Sequence, residues 1–479
     1  MQTTVVGTEQ PQLRTYQQEG VDFLLQHHRC GLVDEPGLGK TAQILTAIHR
    51  GDRRPVLICA PKSALGVWRD EIMKWLGAEE AAAALLYYGT AAQRRKLAKQ
   101  GAIDSARYVI TAYRTGLELL NMRKWRAIVC DEFHRVGLLN IRTATYKAFR
   151  ETCCKRLPTA SFYAVSGTPY TKGPQDFFGL LHLFDPRNND FHSYWRFVDT
   201  HCIVTQSPLG YTEIHPRPKA PEEFREMLSH YFLRRSKRDI LPQLPAKIRQ
   251  VIPIDMSPKQ TRLYRTLEQE LMVQLQQNTV FALSPLALLT KLRQMLVSPC
   301  CLDEAVDDVG GGIEALLEMV ELDFDANNSV LVFTPFIKGV ETIERVLRAR
   351  LKCKTFVIHG QLKNGMLPSD VAKAFQAEPS VRKVLVCTIK TGQAWDATAA
   401  NVVYFLGYEW AAVENEQAED RVHRIGQQKS VVCKYLKYTD TVDQDILQIV
   451  LSKELGFSAS LDVGRFNAII QARLAKREV

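Results

Sequence analysis

Short, nearly continuous apolar runs alternate with longer helical patterns along almost the whole chain. That alternation admits little but parallel α/β architecture. In the first half the runs are Val56–Ala60, Tyr108–Ala112, Ala127–Cys130 and Phe162–Val165. In the second half they are Val330–Phe333, Thr355–Ile358, Val384–Cys387, Val402–Leu406 and Val431–Leu436. A strand covered by helices on both faces has this composition, whereas a half-solvated antiparallel strand alternates apolar with polar. The runs form two sets, each large enough for its own sheet. A chain of 479 residues can bury more than one sizeable core.

Between the two sets lies Leu241-Pro242-Gln243-Leu244-Pro245-Ala246-Lys247, whose prolines interrupt any helix. The expected division is a tail at 1–12, a first domain at 13–240, a linker at 241–255, a second domain at 256–441 and C-terminal helices at 442–479. Within the first domain, 174–235 reads as a mostly helical excursion with a loop around Pro208–Pro221. Within the second, 256–325 reads as a helical N-terminal part.

Lys and Arg total 62 against 52 for Asp and Glu, a net +10. Such a surface favours a polyanionic partner through phosphate contacts. No apolar run approaches the roughly 18 residues of a membrane span, and Met1 to Pro11 lack the apolar core of a signal peptide. The 11 cysteines show no CxxC pair. Cys59, Cys130 and Cys387 sit in strand-like runs, so they are expected as core residues in a reducing compartment and not as zinc ligands or disulfides.

Chemistry enters at Asp34-Glu35-Pro36-Gly37-Leu38-Gly39-Lys40-Thr41, between an apolar strand and a helix. Glycines let backbone N–H groups approach phosphates, and a helix N-terminus adds partial positive charge. Lys40 is expected on the β- and γ-phosphates and the Thr41 hydroxyl on Mg²⁺. The generic pattern has glycine where this chain has Asp34. Asp131-Glu132-Phe133-His134 follows the run Ala127–Cys130, at a strand end where parallel sheets present reactive groups. Asp131 is expected to hold Mg²⁺ and Glu132 to activate the attacking water. In Gln417–Gln427, a helix would place Gln417, Arg421 and Arg424 on one face, and arginine can bring planar positive charge to a γ-phosphate.

Together these segments resemble the Swi/Snf-type branch of the superfamily II helicase-like ATPases, from Leu13 to about Leu455. The most branch-specific matches are Leu233-Arg234-Arg235-Ser236-Lys237-Arg238-Asp239-Ile240-Leu241 with Leu244-Pro245, and Arg421–Gln427. The resemblance implies two tandem RecA-like domains and ATP with Mg²⁺ as cofactors. It places Gln17, with Pro36, Gly37, Leu38, Gly39, Lys40 and Thr41, around the nucleotide. It implies DNA contacts from Pro61, Lys62, Ser63, Trp68, Thr111 and Tyr113 in the first domain. In the second it implies Thr334, Lys338, His359, Thr388 and Gly392. Ser166 and Thr168 would couple hydrolysis to DNA. Two departures stand out: Phe133 precedes His134 where the family has a small residue, and Thr388–Asp396 is poorer in glycine.

Tyr194–Val198 and Leu244–Lys247 look nearest the annealing-helicase-like branch. The function implied is a monomeric, ATP-dependent translocase on double-stranded DNA. A bare motor of this kind suits the cytoplasm of a bacterium or phage-infected cell, or the nucleus if eukaryotic. Strand separation or annealing, and an ATP-gated clamp without motor activity, are the alternatives. The sequence shows no pin or wedge, so strand separation is not expected.

Overall fold

The computed structural model describes residues 11–167, 173–206, 212–277, 285–362, 366–391 and 395–451. The chain divides into two units, Met1–Pro242 and Gln243–Val479. Each is built on a parallel sheet of the RecA-like kind, α/β in class as expected.

The first unit contains β1 (Arg29–Leu32), β2 (Val56–Ala60), β3 (Ala84–Leu86), β4 (Tyr108–Ala112), β5 (Ala127–Asp131), β6 (Ser161–Val165) and a short β9 (Phe232–Leu233). Their order is β3-β4-β2-β5-β6-β1-β9, every pairing parallel. The second unit contains β10 (Lys247–Ile254), β11 (Val330–Thr334), β12 (Lys354–Ile358), β13 (Lys383–Thr388), β14 (Val402–Leu406) and β15 (Val431–Tyr438). Their order is β10-β15-β14-β11-β13-β12, again parallel throughout.

The reason for the continuous apolar runs is visible in the second unit. Val330, Val332, Val384, Val386, Val402 and Tyr404 enter one hydrophobic cluster, and Leu331, Phe333, Leu385, Cys387, Val403 and Phe405 enter another. Successive side chains of a strand point to opposite faces. Both faces of β11, β13 and β14 are therefore core, and the polar residues of β11 and β13 fall at strand ends, at Thr334, Lys383 and Thr388. Eleven cysteines are unpaired, and ten of them are buried. No described helix is long and apolar enough to cross a membrane.

Two expectations need correction. The stretch 241–255 is not simply a linker, because β10 occupies Lys247–Ile254 and runs alongside β15 over eight residue pairs. It is an edge strand, where Pro253 is tolerated because its missing N–H has only one neighbouring strand to serve. The excursion 174–235 is less helical than expected. After the helix Tyr194–His201, β7 (Cys202–Gln206) and β8 (Thr212–Pro218) form an antiparallel hairpin, and residues 207–211 lie outside the described set. In β7 only Cys202 is buried, and Ile203 and Val204 face solvent. The hairpin meets the core at Cys202 and Ile214, too few positions to impose an apolar alternation on the two strands. Of the C-terminal helices expected over 442–479, Val442–Leu451 is described and the rest lies outside.

Edge strand β10 is pinned by charge. The Glu419 carboxylate, fully buried, accepts from Arg249 Nε at 2.7 Å, Arg249 Nη2 at 2.6 Å and Lys247 Nζ at 2.9 Å, and from the Tyr435 hydroxyl at 2.7 Å. Burial alone would raise the Glu419 pKa, but the Arg249 hydrogen bonds and the Lys247 charge outweigh it and hold it below the ordinary value. A carboxyl depressed in the folded state contributes stability above its unfolded pKa and loses it as pH falls through the folded value. Glu419→Gln is expected to lower stability at pH 7 by about 2–3 kcal/mol. The melting midpoint should drop by about 5–10 °C. Calorimetry in steps from pH 7 towards pH 3 should show the gap between variant and parent closing.

Candidate nucleotide site

All strands of a parallel sheet end on the same edge, so residues distant in sequence meet there. In the first unit the phosphate loop follows β1, Asp131 ends β5, Ser166 follows β6, and Pro61–Ser63 follow β2. Because β6 lies between β1 and β5, Ser166 sits between the loop and the acid pair.

The loop delivers chain into the helix Lys40–Arg50 through Gly39, whose φ of +74° is left-handed and suits glycine. The Lys40 ammonium donates to the carbonyls of Asp34 at 2.8 Å and Glu35 at 3.3 Å. Phosphate oxygens would offer it stronger, charged acceptors. Gln17 is buried, accepts from Arg14 N at 2.9 Å, and donates to the Leu38 carbonyl at 3.4 Å. It therefore already touches the phosphate loop.

Asp131 is gripped from two sides. The Trp68 indole N–H donates to its carboxylate at 2.9 Å, and the Tyr113 hydroxyl donates to its carbonyl at 2.7 Å. Burial, and next the charge of Glu132, push the Asp131 carboxyl up to about 7, against the Trp68 hydrogen bond and the Lys40 charge. Glu132 adopts φ +53°. A left-handed non-glycine residue costs about 1–2 kcal/mol, and such outliers gather at functional sites. The Ser166 hydroxyl donates to Glu132 Oε2 at 3.3 Å and lies 2.9 Å from His134 Nδ1. Ser166 thus bridges the strand after which Thr168 comes, although Thr168 itself lies outside the described residues. Phe133, the departure from the family pattern, is buried in the main core of this unit. Its side chain points away from the site, so the extra bulk does not crowd it.

Asp34, which stands where the generic phosphate loop has glycine, is a functional residue that the sequence reading does not single out. Its carboxylate is fully buried and paired with Arg235 in the branch-specific segment, Nε to Oδ1 at 3.0 Å and Nη2 to Oδ2 at 2.5 Å. The hint was already present: an acid where glycine is usual, and arginines in a segment of unexplained specificity.

In the second unit the helix Ala412–Glu419 stops before the arginines, so Gln417, Arg421 and Arg424 do not share one helical face. Turns follow instead. The guanidiniums nevertheless converge on one carbonyl, that of Trp395: Arg421 Nη1 at 3.2 Å and Arg424 Nη1 at 3.5 Å. Arg424 also pairs with Asp396. Arg421 Nε returns to the carbonyl of buried Gln417 at 3.1 Å. Hydrogen bonds to main-chain oxygens have replaced helical periodicity as the ordering device.

The expected DNA contacts separate by exposure. Lys62 and Lys338 are exposed, and Pro61, Ser63 and His359 are partly so. Lys338 pairs with Glu304 at 3.3 Å, and His359 Nδ1 accepts from Gln361 N at 3.2 Å. Trp68, Thr111, Thr334 and Thr388 are buried. The Thr111 hydroxyl donates to the Tyr87 carbonyl at 2.9 Å, and Thr388 Oγ1 meets Thr391 Oγ1 at 2.7 Å. Together with Tyr113, whose hydroxyl donates to the Asp131 carbonyl, these side chains are turned inward. Gly392 lies outside the described residues.

Comparison with known proteins gives the family of the chain. The SNF2-related domain model matches residues 16–301, and the helicase conserved C-terminal domain model matches residues 311–426. The chain belongs to the SNF2-related family. It is 25% identical over 463 residues to the DNA annealing helicase and endonuclease ZRANB3 of Mus musculus, covering 95% of this chain and 41% of that protein. It is 26% identical over 488 residues to an uncharacterized ATP-dependent helicase of Mycoplasma pneumoniae, covering 97% of this chain and 44% of that one. The chain therefore spans less than half the length of these curated relatives. Among solved structures, the Sulfolobus solfataricus SWI2/SNF2 ATPase core in complex with dsDNA aligns with 94% of this chain and 93% of its own, at 23% identity and a TM-score of 0.43.

The tight approach of β6 to the phosphate loop yields a test. A Cβ on Gly167 would lie 2.8 Å from Pro36 Cγ and 3.3 Å from Lys40 Nζ. Overpacking of this kind costs about 1–3 kcal/mol. Gly167→Ala is expected to weaken nucleotide binding by about tenfold or more and to lower the melting midpoint by about 2–10 °C. Fluorescent-nucleotide titration beside a melting curve checks both.

Proposed function

We propose that the chain is an ATP-hydrolysing translocase on double-stranded DNA, working as a monomer. The observation that carries the reading is the meeting of Lys40, Asp131, Glu132 and Ser166 on one sheet edge. Residues 13–240 act as the nucleotide-binding lobe and 256–441, with β10, as the second lobe. Lys40 and the N–H groups of Gly37, Leu38 and Gly39 hold the phosphates, with Pro36 shaping the turn and Gln17 reading the base. The oxygen donors Asp131 and Thr41 suit Mg²⁺, which favours hard oxygen ligands and keeps several waters. When bound, it would neutralise developing phosphate charge. Glu132 orients the attacking water and takes its proton.

Ser166, hydrogen-bonded to Glu132 and followed by Thr168, passes the state of the site to the DNA-bound segments. Gln417, Arg421 and Arg424 serve the γ-phosphate, and for Arg424 this means exchanging Asp396 for phosphate. DNA is held through its backbone, since a motor must step over any sequence. Exposed Lys62 and Lys338 and the net charge of +10 support that partner. So do the relatives named as a DNA annealing helicase and an ATP-dependent helicase. Unpaired cysteines suit a reducing compartment such as a cytoplasm or nucleus.

Lys40→Ala should weaken ATP binding, whereas Glu132→Gln should keep binding and lose turnover. Normal turnover in Glu132→Gln would falsify the assignment. Arg424→Ala should lower turnover by on the order of 10³-fold or more with ATP affinity nearly intact. Arg424→Lys should not rescue it, because a point charge lacks the planar fork. Double-stranded DNA should raise turnover several-fold and bind less tightly as salt rises. Equal stimulation by single-stranded RNA would refute the DNA assignment.

A second reading, strand separation or annealing, gains from the β7–β8 hairpin, an element of the kind that the sequence did not suggest. Strand separation must offset about 1.4 kcal/mol of stacking per base-pair step, and a hairpin is one device for holding strands apart. The translocase reading expects ATP-driven displacement of a third strand from a triplex and no strand release from a partial duplex. Release from the partial duplex that disappears in Lys40→Ala would decide for the helicase.

A further inference from the structure

The Arg235 guanidinium joins three parts of the first unit that are far apart in sequence. It grips the Asp34 carboxylate through Nε and Nη2, at 3.0 Å and 2.5 Å. Nη2 also donates to Gln43 Oε1 at 2.7 Å, on the helix that follows the phosphate loop. Nη1 donates to the main-chain carbonyl of Tyr16, and the guanidinium lies 5.3 Å from the centre of the Tyr16 ring. The Tyr16 hydroxyl reaches back to the Leu38 carbonyl at 3.2 Å. Asp34 is fully buried and Arg235 has 10% of its side chain exposed, so solvent screens the pair weakly. The chain around Arg235 is laid along the loop as well: Val33 N donates to the Leu233 carbonyl at 2.8 Å and Glu35 N to the Arg235 carbonyl at 3.1 Å. The Lys237 amide donates to the Glu35 carboxylate at 2.8 Å.

Gln17 is the residue next to Tyr16, and its amide lies against the phosphate loop. A Cβ on Gly39 would come within 2.3 Å of Gln17 Nε2. A glutamine amide distinguishes adenine by donating to N7 while accepting from the N6 amino group. Guanine offers O6, an acceptor, at that place, so the same amide cannot satisfy both of its atoms. Such reading works only if the amide is fixed relative to the phosphates, because a small misplacement breaks both hydrogen bonds. Loop glycines and Lys40 locate the phosphates by themselves. Something must fix the Tyr16–Gln17 segment to them, and the one guanidinium that touches Tyr16, Asp34 and Gln43 together is Arg235.

We propose that Arg235 is a positioning residue for base selectivity: it locks the Tyr16–Gln17 segment to the phosphate loop through Asp34, so that adenine is preferred over guanine. The inference rests on the reading that ATP binds at this loop. Lysine in its place keeps the charge, but one compact ammonium cannot reproduce the bidentate grip on Asp34 and span to Gln43 and Tyr16, which the guanidinium reaches from three nitrogens. The phosphate contacts would survive the exchange while the base contact loosens.

The test is equilibrium binding of ATP and GTP, each with Mg²⁺, to the parent chain, Arg235→Lys, Gln17→Ala and the double variant. A melting curve accompanies each. The parent is expected to prefer ATP by at least about tenfold, the size of one lost hydrogen-bonding pair. Arg235→Lys should lose most of that preference by binding ATP about tenfold more weakly and GTP within about twofold of the parent. Gln17→Ala should do the same, and the double variant should be no less selective than either single one. Equal weakening of both nucleotides in Arg235→Lys would overturn the proposal and leave Arg235 as a prop for the loop. Unchanged binding of both would overturn it also. If Arg235→Lys does not fold, Tyr16→Leu, which removes the ring beneath the guanidinium, must show the same loss of preference at smaller size, and its absence counts against the proposal. A parent chain that binds neither nucleotide would instead remove the ATP reading itself. A parent that binds ATP selectively beside an equally selective Arg235→Lys removes only this inference.

Discussion

In a parallel sheet every strand delivers its carboxyl end to the same edge, and the rest of the structure depends on that constraint. It brings Asp34, Asp131, Glu132 and Ser166 within hydrogen-bonding networks, although they come from three strands separated by helices and loops. It also brings Thr334, His359 and Thr388 to the edge of the second sheet, from the neighbouring strands β11, β12 and β13. The helices that must cover both faces supply the apolar environment that buries Asp131 and raises its pKa. Fold and electrostatics therefore have a common origin.

Two of the buried charges tie a late segment to an early one. Arg235 joins Asp34 across some two hundred positions, and Lys247 and Arg249 join Glu419 across a similar span. A buried ion pair adds little net stability compared with an apolar packing of the same volume. Its cost when mispaired is high, which makes such pairs good at enforcing one arrangement. At Asp34 the arrangement enforced is the seating of the phosphate loop against the branch-specific segment. At Glu419 it is the attachment of edge strand β10.

The side chains expected to touch DNA divide along lines that motif resemblance does not reveal. Lys62 and Lys338 are exposed. Trp68 and Tyr113 instead hold Asp131, one through the carboxylate and one through the main chain. A residue can thus belong to a DNA-associated motif while its side chain serves the nucleotide site.

The sequence by itself determined the two parallel sheets, because a strand buried on both faces can only be apolar throughout, and that pattern survives in a linear reading. It also determined the phosphate loop and the acid pair, whose spacing is local and whose chemistry tolerates few substitutes. Tertiary structure alone decided which partner each charge takes, since Asp34 and Arg235, or Lys247 and Glu419, are adjacent only after folding. It decided the inward turn of Trp68, Thr111 and Thr334. The β7–β8 hairpin has no apolar period to announce it, because its strands meet the core at isolated positions, Cys202 and Ile214. Arg421 and Arg424 leave the helix at Glu419 because main-chain carbonyls, which no side-chain pattern encodes, hold them instead.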